Sequence, residues 1–174
     1  MAVVRRTQAE RRAETERRLL DATMEIVAAR GVRAVTLAAV GTAAGYSRGI
    51  VTHQFGSRRG LLDALTLELQ NRFVPPETDD VLELVDAYLT AFEERPLDTR
   101  VYAVLWAEAQ AGDEDLRPAF EARDARFVAT LAGYLDGDEA MAAVIVALLR
   151  GVALTRPDDV RAQVRRLLDR GVNA

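Results

Sequence analysis

The chain has 174 residues, 49% of them hydrophobic, enough for one compact domain or for a small module joined to a larger one. No cysteine and a single histidine exclude disulfides, thiolate chemistry and a histidine metal cluster, so a reducing, cytoplasmic setting is expected, with no metal and no cofactor. The net charge of −4 hides a division: residues 1–72 carry twelve arginines against seven acids, the remainder eleven against twenty, and lysine is absent.

In chain order, the N-terminus is charged from Arg5 to Arg18 and lacks the apolar core of a signal segment. Thr7 and Glu10 form a capping box for a first helix whose apolar face is Leu19, Ala22, Thr23, Ile26 and Val27, with Gly31 placed for a left-handed cap. Thr36 caps a short second helix, Leu37 to Ala44, that Gly45 ends. Ser47 caps a third, Arg48 to Gln54, and Ser57 a fourth, from Arg58 to about Arg72. Val74-Pro75-Pro76 then reads as a boundary, since proline lacks the amide proton and restricts its predecessor.

Beyond it, Val81, Val85, Tyr88 and Phe92 mark a helix that Pro96 ends; Val101, Leu105 and Trp106 mark another that Gly112 ends. A third is predicted from about Leu116 to Leu135, closed by Gly137, with Pro118 in its first turn and Phe120, Phe127, Leu131 and Tyr134 as its apolar set. The last pair spans Glu139 to Thr155 and Asp158 to Arg170, separated by Pro157. The run Ala140 to Leu149 is shorter than the roughly 20 residues a bilayer needs, so no membrane partner is expected. No sustained period-2 alternation occurs, and the expected fold class is all-α.

Short helices joined by glycine turns in a segment of excess positive charge meet the requirements of a helix-turn-helix. Val51 and Phe55, four apart, face the core and leave Arg48, Gly49, Thr52 and His53 toward solvent, where an arginine reaches guanine edges or phosphates. The run from Thr36-Leu37 through Ala43-Ala44-Gly45-Tyr46-Ser47-Arg48-Gly49, then His53-Gln54-Phe55-Gly56-Ser57-Arg58 and Leu61-Leu62, resembles the DNA-binding domain of TetR-type transcriptional regulators. The resemblance implies an N-terminal three-helix DNA-binding domain (1–57), a connecting helix and linker (58–76) and a C-terminal helical ligand-binding and dimerisation domain (77–174). It also implies a homodimeric repressor, released from a palindromic operator in double-stranded DNA by a small-molecule effector.

Carried over by position, Thr36 and Ser47 contact phosphate, Arg48 and Gly49 open the recognition helix, His53 faces DNA and Arg58 holds a phosphate. Thr52 stands where the family often has tyrosine, Gln54 where it has an aromatic, and Tyr46 supplies some of the missing contact. A lone histidine is otherwise a surface or core residue. Arg5 and Arg6, with Arg11 and Arg12, form either a DNA-contacting arm or a solvated helix face. Activation in place of repression, or a protein-interaction role for the helix-turn-helix without an inducer, stays open.

In the C-terminal half, Tyr88, Phe92, Tyr102, Trp106 and Phe127 are core residues one by one and pocket candidates together, with Glu108 as a polar contact. The helix from Ala140 is apolar nearly all round, so a monomer would bury it centrally or expose it, and pairing with a twofold mate is the third solution. The resemblance, in which the final helices pair, implies the dimer interface at Ala142, Ile145, Val146, Leu149 and Val152, with Val164 and Leu168. The sequence has no P-loop, dinucleotide fingerprint or histidine pair, and no enzyme is expected.

Overall fold

A computed structural model describes residues 7–73, 76–155 and 160–172. The described residues form nine α-helices, one 3-10 turn and no strand, and the chain divides into two compact units, 1–68 and 69–174. Among them no helix is long and apolar enough to cross a membrane. Arg5, Arg6, the Val74-Pro75 part of the expected boundary, Pro157 and Asp158 lie outside the described residues.

The first unit holds α1 (Gln8–Arg30), a 3-10 turn (Val32–Ala34), α2 (Leu37–Ala44), α3 (Arg48–Phe55) and the start of α4 (Arg58–Asn71). The capping box is reciprocal: Glu10 N–H donates to Thr7 Oγ1 at 3.2 Å and Thr7 N–H to Glu10 Oε2 at 2.8 Å. The whole expected face of α1 is buried, with Leu20 and Met24 beside it. Thr23 reaches that interior without an orphaned hydroxyl because it donates to Leu19 O at 2.7 Å. Gly31 departs from the expected left-handed cap: φ is 77° but ψ is 171°, so the chain leaves α1 extended. It enters the 3-10 turn, which buries Val32, and Val35 beyond it is buried too.

The second unit contains α5 (Val81–Glu94), α6 (Pro96–Ala111), α7 (Arg117–Ala132), α8 (Glu139–Thr155) and α9 (Val160–Val172). Asp80 caps α5, accepting from Leu82 N–H at 2.8 Å. Pro96 occupies the first position of α6, where its missing N–H would have had no helical partner. α7 stops three residues before the expected Leu135. There the chain turns, with Gly137 N–H returning to Ala132 O at 2.9 Å.

The core of this unit joins Val81, Leu84, Val85 and Leu89 of α5 to the inner faces of α8 and α9. Each fully buried aliphatic side chain contributes about 1.5–3 kcal/mol. Arg161 fastens α9 to α5 at the rim, donating to Thr90 Oγ1 at 2.8 Å and lying 3.1 Å from Glu93 and 3.6 Å from Asp86.

This core corrects the expected dimer interface. Ala142, Ile145, Val146, Leu149, Val152, Val164 and Leu168 are only 0–8% exposed within one chain, so they have no surface left to offer a second. A helix apolar all round has two usable stripes, and the structure turns this one inward. The outward stripe is Ala140, Val144, Ala147, Gly151 and Leu154, spaced 4-3-4-3, with Leu167 exposed on α9.

Candidate nucleic-acid interface and cavity

In the first unit α2 packs on α1 and α3 packs on α2. Both short helices start at the predicted caps: Ala39 N–H donates to Thr36 Oγ1 at 3.1 Å and Ile50 N–H to Ser47 Oγ at 3.4 Å. Between them Gly45 is left-handed (φ 76°, ψ 25°), and Tyr46 N–H donates to Gly41 O at 2.7 Å. The turn closes this tightly because Gly41 has no side chain: a Cβ there would lie 2.9 Å from Tyr46 O and 3.2 Å from Arg48 N.

Val51 is fully buried and Phe55 half-buried, which anchors α3 and leaves Arg48, Gly49, Thr52 and His53 exposed at one surface, with Tyr46 half-buried beside them. The N-terminus of α3 adds partial positive charge to the same surface. Thr52 Oγ1 donates to Arg48 O at 3.1 Å, which leaves its oxygen as an acceptor toward solvent. Ile50, 42% exposed, is a further apolar side chain on α3 that the sequence reading passed over. Its position off the Val51–Phe55 line was the available signal.

Two expected roles change. Arg58 does not reach outward: its Nε donates to Val35 O at 3.1 Å and its Nη2 to Val32 O at 3.2 Å, so the guanidinium clamps the start of α4 to the 3-10 turn. Arg59, one residue on, is the exposed cation there. Gln54, singled out for replacing an aromatic, donates to Glu16 Oε2 at 2.7 Å and ties α3 to α1. Charge-assisted bonds of this kind contribute about 1.5–3 kcal/mol each. Arg58→Ala should therefore lower the unfolding midpoint in urea by an amount equal to about 2–4 kcal/mol, whereas Arg59→Ala should leave it unchanged; equal midpoints would remove the clamp.

The second unit contains a partly open cavity of about 320 Å³, and all five pocket candidates line it: Tyr88, Phe92, Tyr102, Trp106 and Phe127. Tyr88 stacks on Phe73 with ring centroids 3.9 Å apart and meets Phe127 at 5.1 Å. Glu108 is not part of the wall; polar groups come instead from Gln70, Asp98, Asp124 and four arginines. Gln70 Nε2 donates to the Tyr102 hydroxyl at 3.1 Å.

Arg150 of α8 pairs with Asp124 of α7 and lies 4.8 Å over the Trp106 ring of α6, whose Nε1–H donates to Asp124 at 3.4 Å. Burial pushes the Asp124 carboxyl above its ordinary range against the pull of Arg150. Burial also raises the Tyr88 and Tyr102 phenols, so both stay neutral. Nothing local links residues 106, 124 and 150, which is why no motif announced the trio.

A model of the family described as bacterial regulatory proteins, tetR family, matches residues 19–65, the stretch from mid-α1 through the helix-turn-helix into α4. Over those residues the chain is similar to the TetR family. The chain is 38% identical over 76 residues to the HTH-type transcriptional regulator AlkX of Mycobacterium tuberculosis. That match covers 44% of the chain and spans about a third, 34%, of AlkX. Its fold is that of the multidrug binding protein EbrR, crystallised with imidazole, at a TM-score of 0.73 and 22% identity over 97% of this chain and 96% of the other. It is also that of NalD, the secondary repressor of the MexAB-OprM multidrug efflux pump in Pseudomonas aeruginosa, at 0.66 and 22% over 90% and 94%.

Proposed function

We propose that this chain is a TetR-type regulator, a cytoplasmic homodimeric repressor that binds a palindromic operator and is released by a small molecule held in the cavity. The observation that carries the DNA reading is the exposed face of α3, where Arg48 stands beside the Ser47-capped helix end and Gly49, Thr52 and His53 continue the polar surface. Ile50 adds an apolar group suited to a thymine methyl. NalD supports repression as the sign of regulation, and EbrR supports small-molecule binding in a protein of this fold.

A twofold mate seated on the outward stripe of α8 and on Leu167 would present two recognition helices about 34 Å apart, the repeat of the major groove. Gly151 suits that seat, since a Cβ there would meet nothing and a second helix can approach closely. Effector coupling would run through α4, one continuous helix that begins just after α3 and whose last turn supplies Leu69 and Gln70 to the cavity wall. A ligand pressing on those residues would tilt the helix and change the spacing of the recognition helices.

Selection of bound fragments from random duplex DNA should return a near-palindrome; enrichment of no sequence at low salt would remove the DNA reading. On the selected duplex, Arg48→Ala should weaken binding by about 1–3 kcal/mol per half-site, roughly tenfold or more, with unchanged thermal stability. Replacing thymine by deoxyuridine in the same duplex should weaken the parent protein at one position and leave Ile50→Ala indifferent. Equal sensitivity of both proteins would remove Ile50 from base readout.

A further inference from the structure

Every charged side chain in the cavity wall is already engaged within the chain. Arg72 Nη1 donates to the two Asp98 oxygens at 3.2 Å each, and Arg150 pairs with Asp124. Asp124 also accepts from Trp106, and Arg150 is held over that ring, so this pair is fastened from two sides. Arg95, an exposed residue, donates to Arg72 O, and Arg123 has its own interaction within the chain. A cationic ligand would have to take a carboxylate from its arginine, and an anionic ligand an arginine from its partner. Either exchange breaks one charge-assisted contact to make another and adds the desolvation of the incoming ion, so charge of neither sign is favoured.

The uncharged donors of the wall are placed differently. The Tyr102 oxygen accepts from Gln70 Nε2 at 3.1 Å, which fixes the hydroxyl and leaves its own hydrogen without an acceptor among the described residues. Tyr88 is held by its ring, stacked on Phe73 and packed against Phe127, while its hydroxyl bonds to no described residue. That oxygen is not sealed inside the protein, so it is open to a ligand. Burial keeps both phenols protonated, and the Tyr102 phenol adds to the effect on Tyr88, so the two groups are near enough to interact. Around them Leu69, Phe92 and Leu149 keep the wall apolar. In such a space an unmet phenol hydrogen is costly, and an acceptor oxygen arriving on an apolar body relieves that cost while burying the body. We propose that the effector is an uncharged, mostly apolar molecule with a carbonyl-type oxygen, its body among the aromatic rings and its oxygen accepting from the Tyr88 and Tyr102 hydroxyls. This ligand class rests on reading the cavity as a ligand site, and the two fail on different outcomes.

Trp106 is the chain's single tryptophan and lines the cavity, so its emission reports occupancy in the full-length protein. Three probes of equal chain length, 2-octanone, octanoate and octylammonium, are titrated at neutral pH and one ionic strength. 2-Octanone should shift the emission with a dissociation constant at least about tenfold below those of the two ions. The double substitution Tyr88→Phe with Tyr102→Phe removes both hydroxyls and keeps both rings, and it should weaken 2-octanone about fivefold or more. Ethylbenzene, which has no acceptor oxygen, should bind variant and parent alike, which also shows that the cavity has kept its shape. The ranking of the probes in the parent protein needs no variant and decides the charge by itself. Comparable or tighter binding of either ion would overturn the uncharged class, and an unchanged 2-octanone affinity in the variant would overturn the phenol donors; each leaves the ligand site standing. No emission change with any of these probes at millimolar concentration would overturn the ligand site itself, and the ligand class with it.

Discussion

Gly60→Ala should unfold the first unit at markedly lower denaturant, with a loss of about 3 kcal/mol. Gly60 is the third residue of α4, and its N–H donates to the Ser57 hydroxyl at 3.1 Å. A Cβ at this position runs into the carbonyl oxygen of Phe55, the last residue of α3. That oxygen belongs to the backbone and already accepts Ser57 N–H at 2.9 Å, so it cannot rotate away as a side chain would. Relief requires opening the α3–α4 junction, and overpacking of this kind costs about 1–3 kcal/mol or more. In an unconstrained helix the same change stabilises by up to about 1 kcal/mol, so the sign alone decides the outcome.

Urea unfolding followed by far-ultraviolet circular dichroism measures the loss, while Trp106 emission follows the second unit separately. A Gly60→Ala protein as stable as its parent would show that the junction yields freely. A milder loss is expected for Gly41→Ala, whose Cβ meets backbone atoms at 2.9–3.2 Å.

The second large effect concerns assembly. Val144 is 58% exposed and Leu167 60%, on the two helices whose other apolar faces fill the core. The double substitution Val144→Glu with Leu167→Glu should yield a monomer by light scattering at micromolar concentration, with the cavity and core intact. Operator affinity should then fall by about a hundredfold to ten-thousandfold, because joining two DNA-reading modules converts the second contact into an intramolecular one. Exposed glutamates on a helix surface cost little stability, so an unchanged melting curve separates loss of pairing from loss of fold. A variant that remains dimeric would place the interface elsewhere. Substituting a buried neighbour such as Ile145, fully shielded within one chain, would unfold the second unit and report nothing about pairing.

Much of the architecture was legible because its causes are local. Thr7, Thr36, Ser47 and Ser57 each accept from a backbone N–H three residues on, a relation that depends only on residue type and spacing. The buried face of α1 followed from helical period in the same way. The aromatic set of the second unit was legible as a list, and all five members line one cavity. Glu108 failed because neighbours in sequence on a helix point in different directions.

What escaped depends on partners distant in sequence. Arg58 looked like a phosphate ligand by position, yet two carbonyls more than twenty residues earlier take its donors. Gln54 looked like a missing aromatic and proved to hold Glu16. The Trp106–Asp124–Arg150 trio joins three helices without a shared pattern.

By itself the sequence determined where the first four helices begin, which side of α3 carries arginine and histidine, and that the helix from residue 139 is apolar on more than one face. Only the tertiary structure decided which of those faces points inward. Both stripes of α8 have similar hydrophobicity, and the choice is made by what surrounds them: Val81, Leu84, Val85 and Leu89 of α5, with Val164 and Leu168 of α9, close over Ile145 and Leu149 and leave Val144 and Leu154 outside. Hydrophobic burial is non-directional, so a helical period states how many faces exist, and packing against neighbours selects among them.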